Sequence, residues 1–178
     1  MQRFFLRAFP GQASPAPQLI ANVARLRGAC AQAGIPVVYT AQPGSMTAQE
    51  RGLLRTFWGP GMRAAAEDRR ILDELAPEPG DVVLTKWRYS AFHRTELLSL
   101  LREKGRDQLL ICGVYAHIGC LMTAADAYTH DIEAFLIGDA VADMSEREHR
   151  MALDYAASTC ARVPTTEAVL TALAGVRA

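Results

Sequence analysis

The chain has 178 residues, of which half are hydrophobic and 21% are charged, and its 19 acidic and 19 basic side chains give a formal net charge of zero. This composition is typical of one soluble globular domain, here spanning residues 1–178. The balanced charge argues against the basic surface that a nucleic-acid partner would need. No apolar run reaches the roughly 18 to 20 residues of a membrane span, and the apolar patch near Met1 is too short for a secretory signal, so we expect a cytoplasmic protein without a membrane partner.

The four cysteines are widely spaced and form no C-x-x-C motif. Neither they nor the four histidines cluster at the spacing that zinc sites use, so no metal is expected. We predict free thiols that are buried, in a reducing compartment, as is usual for isolated cysteines. The positions are Cys30, Cys112, Cys120 and Cys160.

Helical and extended segments alternate along the chain after a Gly/Ser/Pro-rich loop at residues 11–18. Apolar residues at helical spacing predict helices, and short β-branched or apolar runs between them predict strands. The predicted helices are 19–33, a short piece within 47–57, 64–75, 95–104, 118–128, 146–161 and 166–174. The predicted strands are 35–40, 82–86, 109–112, 133–138 and a short edge strand at 162–163.

This alternation predicts an α/β fold: a three-layer, Rossmann-like arrangement with one parallel sheet and helices on both of its faces. A sheet of this kind usually begins with a buried apolar strand. Residues 4–6, Phe-Phe-Leu, are too few to serve as that strand. We therefore expect the first, central strand to be missing from the chain as given.

The strand–turn–helix between Leu109 and Asp126 is the segment best suited to hold a site. An apolar strand ends at Cys112, Gly113 breaks the pattern, and apolar residues resume at helical spacing from Ile118. The first N–H groups of a helix have no intrahelical partner and point at whatever lies above the strand end. Because open α/β sheets bind ligands at the carboxyl ends of their strands, we expect a ligand there.

Five segments resemble the isochorismatase family, in order and over nearly the whole chain: IPVVYTAQP, FWGPGM, LTKWRYSAF, LLICGVYAHIGC and DAVADMSEREHRMALDYAA. The resemblance is closest to the isochorismatases proper, which include stand-alone enzymes of phenazine pathways, and more distant for the amidase branch. It implies hydrolysis of the enolpyruvyl vinyl ether of isochorismate, or of its 2-amino analogue, with release of pyruvate. It also implies phenazine or siderophore biosynthesis, a small-molecule substrate, no cofactor and a homodimer.

The catalytic set of this superfamily is an aspartate at the end of the first strand, a lysine after a later strand and a cysteine at the strand–turn–helix. The lysine corresponds to Lys86, and the cysteine position corresponds to Gly119, one residue before Cys120. Isochorismatases proper likewise lack that cysteine, because cleaving a vinyl ether needs no acyl-enzyme. The aspartate would stand just before Met1, and its absence would leave the chain as given inactive.

The resemblance also implies how the substrate is bound. Lys86 would set the pKa of the acid and contact a substrate carboxylate, and Gly119 would leave room at the helix N-terminus. Gln42 and Arg51 would bind the pyruvyl or ring carboxylate, which a guanidinium group suits. The turn at Tyr115 and Ala116 can contain a cis peptide bond in this superfamily. The residues expected to line the pocket and wall the ring are Phe4, Trp58, Tyr89 and Tyr115.

Other polar residues near these positions have plainer interpretations. We expect His117 to be a hydrogen-bonded structural histidine and Cys120 a packed thiol, since its register turns it away from the position of the superfamily's nucleophile. Asp139 and Asp143 are expected to cap loops. Two alternative functions stay open: a cysteine amidohydrolase of the nicotinamidase kind that uses Cys120, and a non-catalytic remnant or binding module without the acid.

Overall fold

The computed structural model describes residues 1–9 and 15–175. The helices are α1 (Arg3–Leu6), α2 (Ala16–Gln32), α3 (Ala48–Arg51), α4 (Leu54–Trp58), α5 (Ala66–Arg69), α6 (Leu97–Glu103), α7 (Leu121–Thr129), α8 (Glu146–Thr159) and α9 (Thr166–Gly175). The strands are β1 (Val38–Ala41), β2 (Val82–Thr85), β3 (Gln108–Val114), β4 (Glu133–Ala142) and β5 (Ala161–Arg162). Within the described ranges, no helix combines the length and apolar character that crossing a bilayer requires.

The strands form two parallel sheets where the sequence predicted one. In the first sheet β1 pairs with β2, and in the second the order is β3-β4-β5. All three pairings are parallel, and helices cover the second sheet on both faces, so the predicted α/β class is confirmed. The prediction of a single sheet is wrong for the described residues, because β1 and β3 do not pair with each other there.

The first two residues lie between the two sheets. The side chain of Gln2 bonds to the backbone of Gln42, directly after β1. On the other side, a Cβ placed on Gly113 of β3 would lie 3.6 Å from Met1 Cγ. The amino-terminal segment therefore bridges the ends of β1 and β3, where ligands bind in folds of this class.

Strand β4 organises the core because its residues alternate between two hydrophobic clusters. Ala134 and Leu136 face the cluster that includes α6, α7 and α8, whereas Phe135 and Ile137 face α2 and α9. This alternation is the period-2 pattern of a strand covered on both faces. It builds the three-layer arrangement that the sequence predicted.

The predicted helix at residues 64–75 is wrong. Only Ala66–Arg69 is helical, followed by a 3-10 turn at Asp73–Leu75. Between them the backbone is extended and pairs with the amino terminus: Arg3 N–H donates to Arg70 O at 2.9 Å, and Leu72 N–H donates to Met1 O at 3.0 Å. A contact across about 70 residues thus overrides the local helical pattern, and local sequence carries no sign of it.

Other boundaries differ less. Helix α2 begins at Ala16, inside the predicted loop, with proline at its start; residues 11–14 of that loop lie outside the described residues. Ser145 caps α8 as expected, accepting a hydrogen bond from Glu148 N–H.

All four cysteines are free, but Cys112 is exposed, which corrects the expectation that every thiol is buried. The exposed thiol lies on β3, whose second edge pairs with no other described strand.

Candidate active site

Lys86 and Gly119 meet at the ends of two neighbouring segments. Lys86 follows β2, and its N–H donates to Ala41 O at 2.9 Å, which continues the β1–β2 pairing. Gly119 lies in a π-helical turn, Ala116–Cys120, directly after β3. A Cβ on Gly119 would be 3.7 Å from Lys86 Cε. The missing side chain therefore leaves space beside the lysine stem.

The surroundings of Lys86 favour its neutral form. Burial lowers the pKa of Lys86 to about 8, and the neighbouring Cys120 offsets this effect only in part. Among the described residues no carboxylate lies within 4.0 Å of its ammonium group. An anionic ligand at this point would supply the missing counter-charge.

Gln42 and Arg51 come together after β1. A capping box between Thr47 and Glu50 starts α3, and Arg51 is the last residue of that helix. Arg51 as a whole is 5% exposed. Its guanidinium group donates from Nε to Gly59 O at 3.1 Å and from NH1 to Gln42 Oε1 at 3.2 Å. Burial, and to a lesser degree Arg88, lowers the pKa of Arg51, yet a guanidinium stays charged in proteins.

Arg88 holds the segment that carries Arg51. Its NH1 group donates to Glu50 O at 2.8 Å and to Trp87 O at 2.7 Å. A Cβ on Gly52 would lie 2.8 Å from the tip of the Arg88 side chain, and the backbone φ of +50° at Gly52 favours glycine where the two segments cross. Within the described ranges neither Arg51 nor Arg88 has a carboxylate within 4.0 Å. Sequence reasoning did not single out Arg88.

An aromatic pair connects these two groups of residues. Trp58 Nε1–H donates to Tyr89 OH at 2.7 Å. Both residues are partly exposed, Trp58 by 43% and Tyr89 by 36%. The backbone carbonyl of Tyr89 would lie 3.7 Å from a Cβ on Gly119. Two of the predicted ring-binding residues therefore stand between the Lys86 side and the Arg51 side.

Tyr115 and Phe4 lie with the amino-terminal segment. Tyr115 OH donates to Phe5 O at 2.7 Å, and its ring packs against Phe5 and Phe9 at centroid distances of 6.0 and 5.9 Å. Phe4 packs edge-on against Phe5 and under the guanidinium of Arg7. Burial raises the pKa of Tyr115 to about 12. These contacts tie Tyr115 to α1, and the peptide bond before it, Val114–Tyr115, is cis.

His117 has a partner that sequence reasoning missed. Its Nδ1 lies 2.6 Å from Asp143 Oδ2, and its backbone N–H donates to the same oxygen at 2.6 Å. Met144 N–H donates to Asp143 Oδ1 at 2.8 Å. The expected hydrogen-bonded histidine is therefore present, and Asp143 holds the turn after β3 rather than only its own loop. Asp139 caps α9 as expected, accepting from Thr166 N and Oγ1.

One cluster offers metal-binding atom types: donors of His117, Asp143 and Glu148 lie within 4.8 Å of one another. Both oxygens of Asp143 already accept peptide N–H groups, and Glu148 accepts from Ser145 Oγ at 3.0 Å. These bonds account for the arrangement without an ion. The cluster therefore makes no case for a metal centre.

Cys120 is poorly placed for nucleophilic chemistry. It is buried within the hydrophobic cluster around α7, and burial raises its pKa to about 12 despite the neighbouring Lys86. A thiol acts as a nucleophile through its thiolate, which such a pKa suppresses. The packed thiol that the sequence predicted fits these surroundings.

The site as a whole combines cations that lack carboxylate partners with aromatic side chains, at the carboxyl ends of parallel strands. In an α/β domain this is the place where small ligands bind, and the uncompensated cations favour an anionic one.

Comparison with known proteins assigns the family, since residues 1–168 match the model of the isochorismatase domain. The phenazine biosynthesis protein PhzD1 of Pseudomonas aeruginosa is 59% identical over 170 residues, covering 96% of this chain and 81% of that protein. The isochorismatase of Bacillus subtilis is 56% identical over 170 residues, covering 96% of this chain and 54% of its own length. The chain thus spans about half of that second relative. The chain belongs to the isochorismatase family.

A solved structure supports the fold alone. The crystal structure of a cysteine hydrolase from Pseudomonas syringae matches with a TM-score of 0.87 over 98% of this chain and 89% of that one, at 22% identity. At this identity the likeness carries no statement about which residues react.

Proposed function

We propose that this chain carries the substrate site of an isochorismatase-type hydrolase, which cleaves the enolpyruvyl vinyl ether of isochorismate or of its 2-amino analogue. The observation that supports this most is the position of Gly119 beside the Lys86 side chain, where a Cβ on the glycine would lie 3.7 Å from Lys86 Cε. Among the described residues the Lys86 ammonium has no carboxylate partner, and it stands beside a position with no side chain, so an anionic substrate has both a charge to meet and space to occupy.

The proposed reaction needs an acid and a water molecule, and no nucleophilic residue. Protonation of the terminal methylene carbon gives an oxocarbenium ion, and water adds to that ion at the ether-bearing carbon. The resulting hemiketal collapses to pyruvate and a dihydro-diol, or the corresponding amino alcohol. Proton transfer to carbon is the slow step and needs a carboxyl group held neutral near the substrate.

Each residue has a part in this proposal. Lys86 contacts a substrate carboxylate. Alone, its positive charge would lower the pKa of the catalytic acid and favour the ionised form. The negative charge of the bound substrate offsets this effect, so the acid can stay protonated. Arg51 and Gln42 hold the second carboxylate through a guanidinium and an amide. Trp58 and Tyr89 cover the ring and exclude water. By the family resemblance, the proton donor is an aspartate at the end of the fold's first strand.

The test is a coupled pyruvate assay with both substrates. It compares the chain as given with a version extended at its amino terminus by an apolar strand that ends in aspartate, and with the same extension ending in asparagine. We expect release of pyruvate with the aspartate version, and rates lower by at least about 100-fold for the other two, the usual contribution of a general acid. Equal rates in all three would contradict this assignment of the acid.

The amidohydrolase alternative is less supported, because Cys120 is buried and its pKa is raised. Iodoacetamide separates the two functions, since alkylation inactivates an enzyme with a cysteine nucleophile. Cys112 is exposed, so the experiment uses a Cys112→Ser variant to keep alkylation of that thiol out of the result. Pyruvate release that survives alkylation supports the vinyl-ether hydrolase; amide hydrolysis that is lost on alkylation supports the alternative.

The cellular setting belongs to the same proposal. We place the protein in the cytoplasm, in the biosynthesis of a phenazine or a siderophore, as a homodimer that acts on a free small molecule. Light scattering on the purified chain measures the oligomeric state. A mass that stays that of a monomer at micromolar concentration would contradict the dimer.

A further inference from the structure

The side chain of Gln2 is buried, and its hydrogen bonds to the described residues all go to main-chain groups from distant parts of the chain. The residue is 5% exposed. Its Nε2 donates to Gln42 O at 2.9 Å and to Arg69 O at 3.0 Å, and its Oε1 accepts from Gln42 N–H at 2.9 Å. One carboxamide therefore pairs with both peptide groups of Gln42, as a neighbouring strand would.

The backbone of Gln2 is itself fixed. Its flanking residues pair with the segment after α5, where Arg3 N–H donates to Arg70 O at 2.9 Å and Leu72 N–H donates to Met1 O at 3.0 Å. The carboxamide thus reaches Gln42 from a defined position. A defined donor and acceptor pair sets where the peptide groups of Gln42 lie.

The Gln42 side chain is hydrogen-bonded to Arg51, so the position of Gln42 affects the position of the guanidinium group. Its Oε1 accepts from Arg51 NH1 at 3.2 Å, and the other described bond of that guanidinium is to Gly59 O at 3.1 Å. One face of the guanidinium lies so close to Gly61 that a Cβ there would be 2.5 Å from Arg51 Cζ. A displaced Gln42 would therefore move one of the two acceptors that orient Arg51.

We propose that Gln2 is a positioning residue: through Gln42 it holds the Arg51 guanidinium in the orientation that binds a substrate carboxylate. This inference rests on the proposed function. Glutamine suits the role because it supplies two donors and an acceptor without charge, whereas a carboxylate could not donate to the two carbonyl groups.

The experiment replaces Gln2 with methionine, which has a similar length and makes none of these hydrogen bonds. The variants are Gln2→Met, Gln42→Met and the double variant, in whichever form of the chain releases pyruvate. Asn22→Leu is the matched control, because Asn22 is another buried amide, 3% exposed, that donates to Asp139 O at 2.7 Å away from the site. Melting temperatures are measured first, and kinetics are compared well below the lowest of them.

For Gln2→Met we expect KM to rise about tenfold, the worth of roughly one well-placed hydrogen bond, with kcat changed less than about threefold. The double variant should have the KM of Gln42→Met, because the two residues act in one chain of contacts. Asn22→Leu should lower the melting temperature and leave KM unchanged. An unchanged KM in Gln2→Met, effects that multiply in the double variant, or an equal rise in Asn22→Leu would each overturn the proposal.

A second readout separates this inference from the proposed function. If no form of the chain releases pyruvate, the proposed function fails, and Gln2 is judged by NMR alone. In Gln2→Met the amide proton of Gln42 should exchange faster and the Nε–H signal of Arg51 should shift, while Asn22→Leu changes neither. Unchanged signals in Gln2→Met would overturn the positioning role directly.

Discussion

The two sheets of this molecule differ in how deeply their residues are buried and in how much of the candidate site they carry. The β3-β4-β5 sheet contains fully buried side chains such as Leu136 and Ile137, and helices pack on both of its faces. In the β1-β2 sheet no strand residue is fully buried, and Val83 is 52% exposed. Yet the segments that follow β1 and β2 supply most of the candidate site, and β3 leads to Gly119. The well-packed half provides rigidity, and the less packed half provides the polar groups.

The largest expected effect comes from the packed half. Leu136→Ala should lower the free energy of unfolding by about 3 to 5 kcal/mol, because it leaves a cavity in a core that cannot collapse freely. Val83→Ala on β2 should cost less than about 1 kcal/mol, since its side chain is largely exposed. Urea unfolding of both variants measures the difference. Similar losses would mean that the two sheets contribute alike to stability.

Next in size is the loss of the site's lysine. In the form of the chain that releases pyruvate, Lys86→Met should reduce that release by about 100-fold or more, because a buried counter-charge for the substrate is gone. The same variant should be more stable at pH 7, by about 1 kcal/mol or more, since burial lowers the pKa of Lys86 to about 8 and so penalises the charge. Lys104→Met, at an exposed lysine, is the control for both measurements. A variant that loses both activity and stability would contradict this account.

A smaller effect is expected at the turn. In Gly119→Ala the new methyl group would lie 3.7 Å from Lys86 Cε, an ordinary contact, so the fold should tolerate it. In the form of the chain that releases pyruvate, KM should nevertheless rise about tenfold, or about 1.4 kcal/mol, because the methyl group fills space that the substrate needs. Gly28→Ala in α2, where nothing lies within 4 Å, is the matched control. Unchanged kinetics would show that the substrate does not approach Gly119.

The smallest effect is a dependence on pH. With a pKa of about 8, Lys86 is charged at pH 7 and mostly neutral at pH 9. Substrate affinity should therefore be nearly full below about pH 7, be halved near pH 8 and fall by about fivefold to tenfold by pH 9. The stability gain of Lys86→Met also depends on pH. It is complete below pH 8, where the buried lysine is charged in the folded chain. It disappears as pH rises towards 10.5, where the unfolded chain also loses the proton. Titration of both quantities in parallel checks the sign.

The sequence was most informative where structure is local. The apolar run before Gly113 and the helical spacing after it predicted a strand and a helix, and both are present as β3 and α7. Ser145 and Glu148, three residues apart, predicted a helix cap for the same reason. The family resemblance, rather than spacing, singled out Lys86 and Gly119, which the structure places side by side. Their roles in catalysis stay predictions.

The features that sequence reasoning missed all depend on distant contacts. Asp143 pairs with His117 across 26 residues, and Gln2 pairs with Gln42 across 40. The predicted helix at 64–75 fails because residues 70–72 pair with the amino terminus instead. A periodic pattern reports only on neighbours within a few turns, so it cannot register a partner brought near by the fold. Such partners hold much of this site in place.

The facing sides of β1 and β3 have a consequence for handling the protein. Within the described ranges these strands pair on one side only, so peptide N–H and C=O groups along their other sides have no ladder partner. Unpaired strand edges recruit strands from other molecules. Concentrated samples of the chain as given should therefore self-associate over time through these edges, and the exposed Cys112 thiol in the middle of β3 would become shielded as they do.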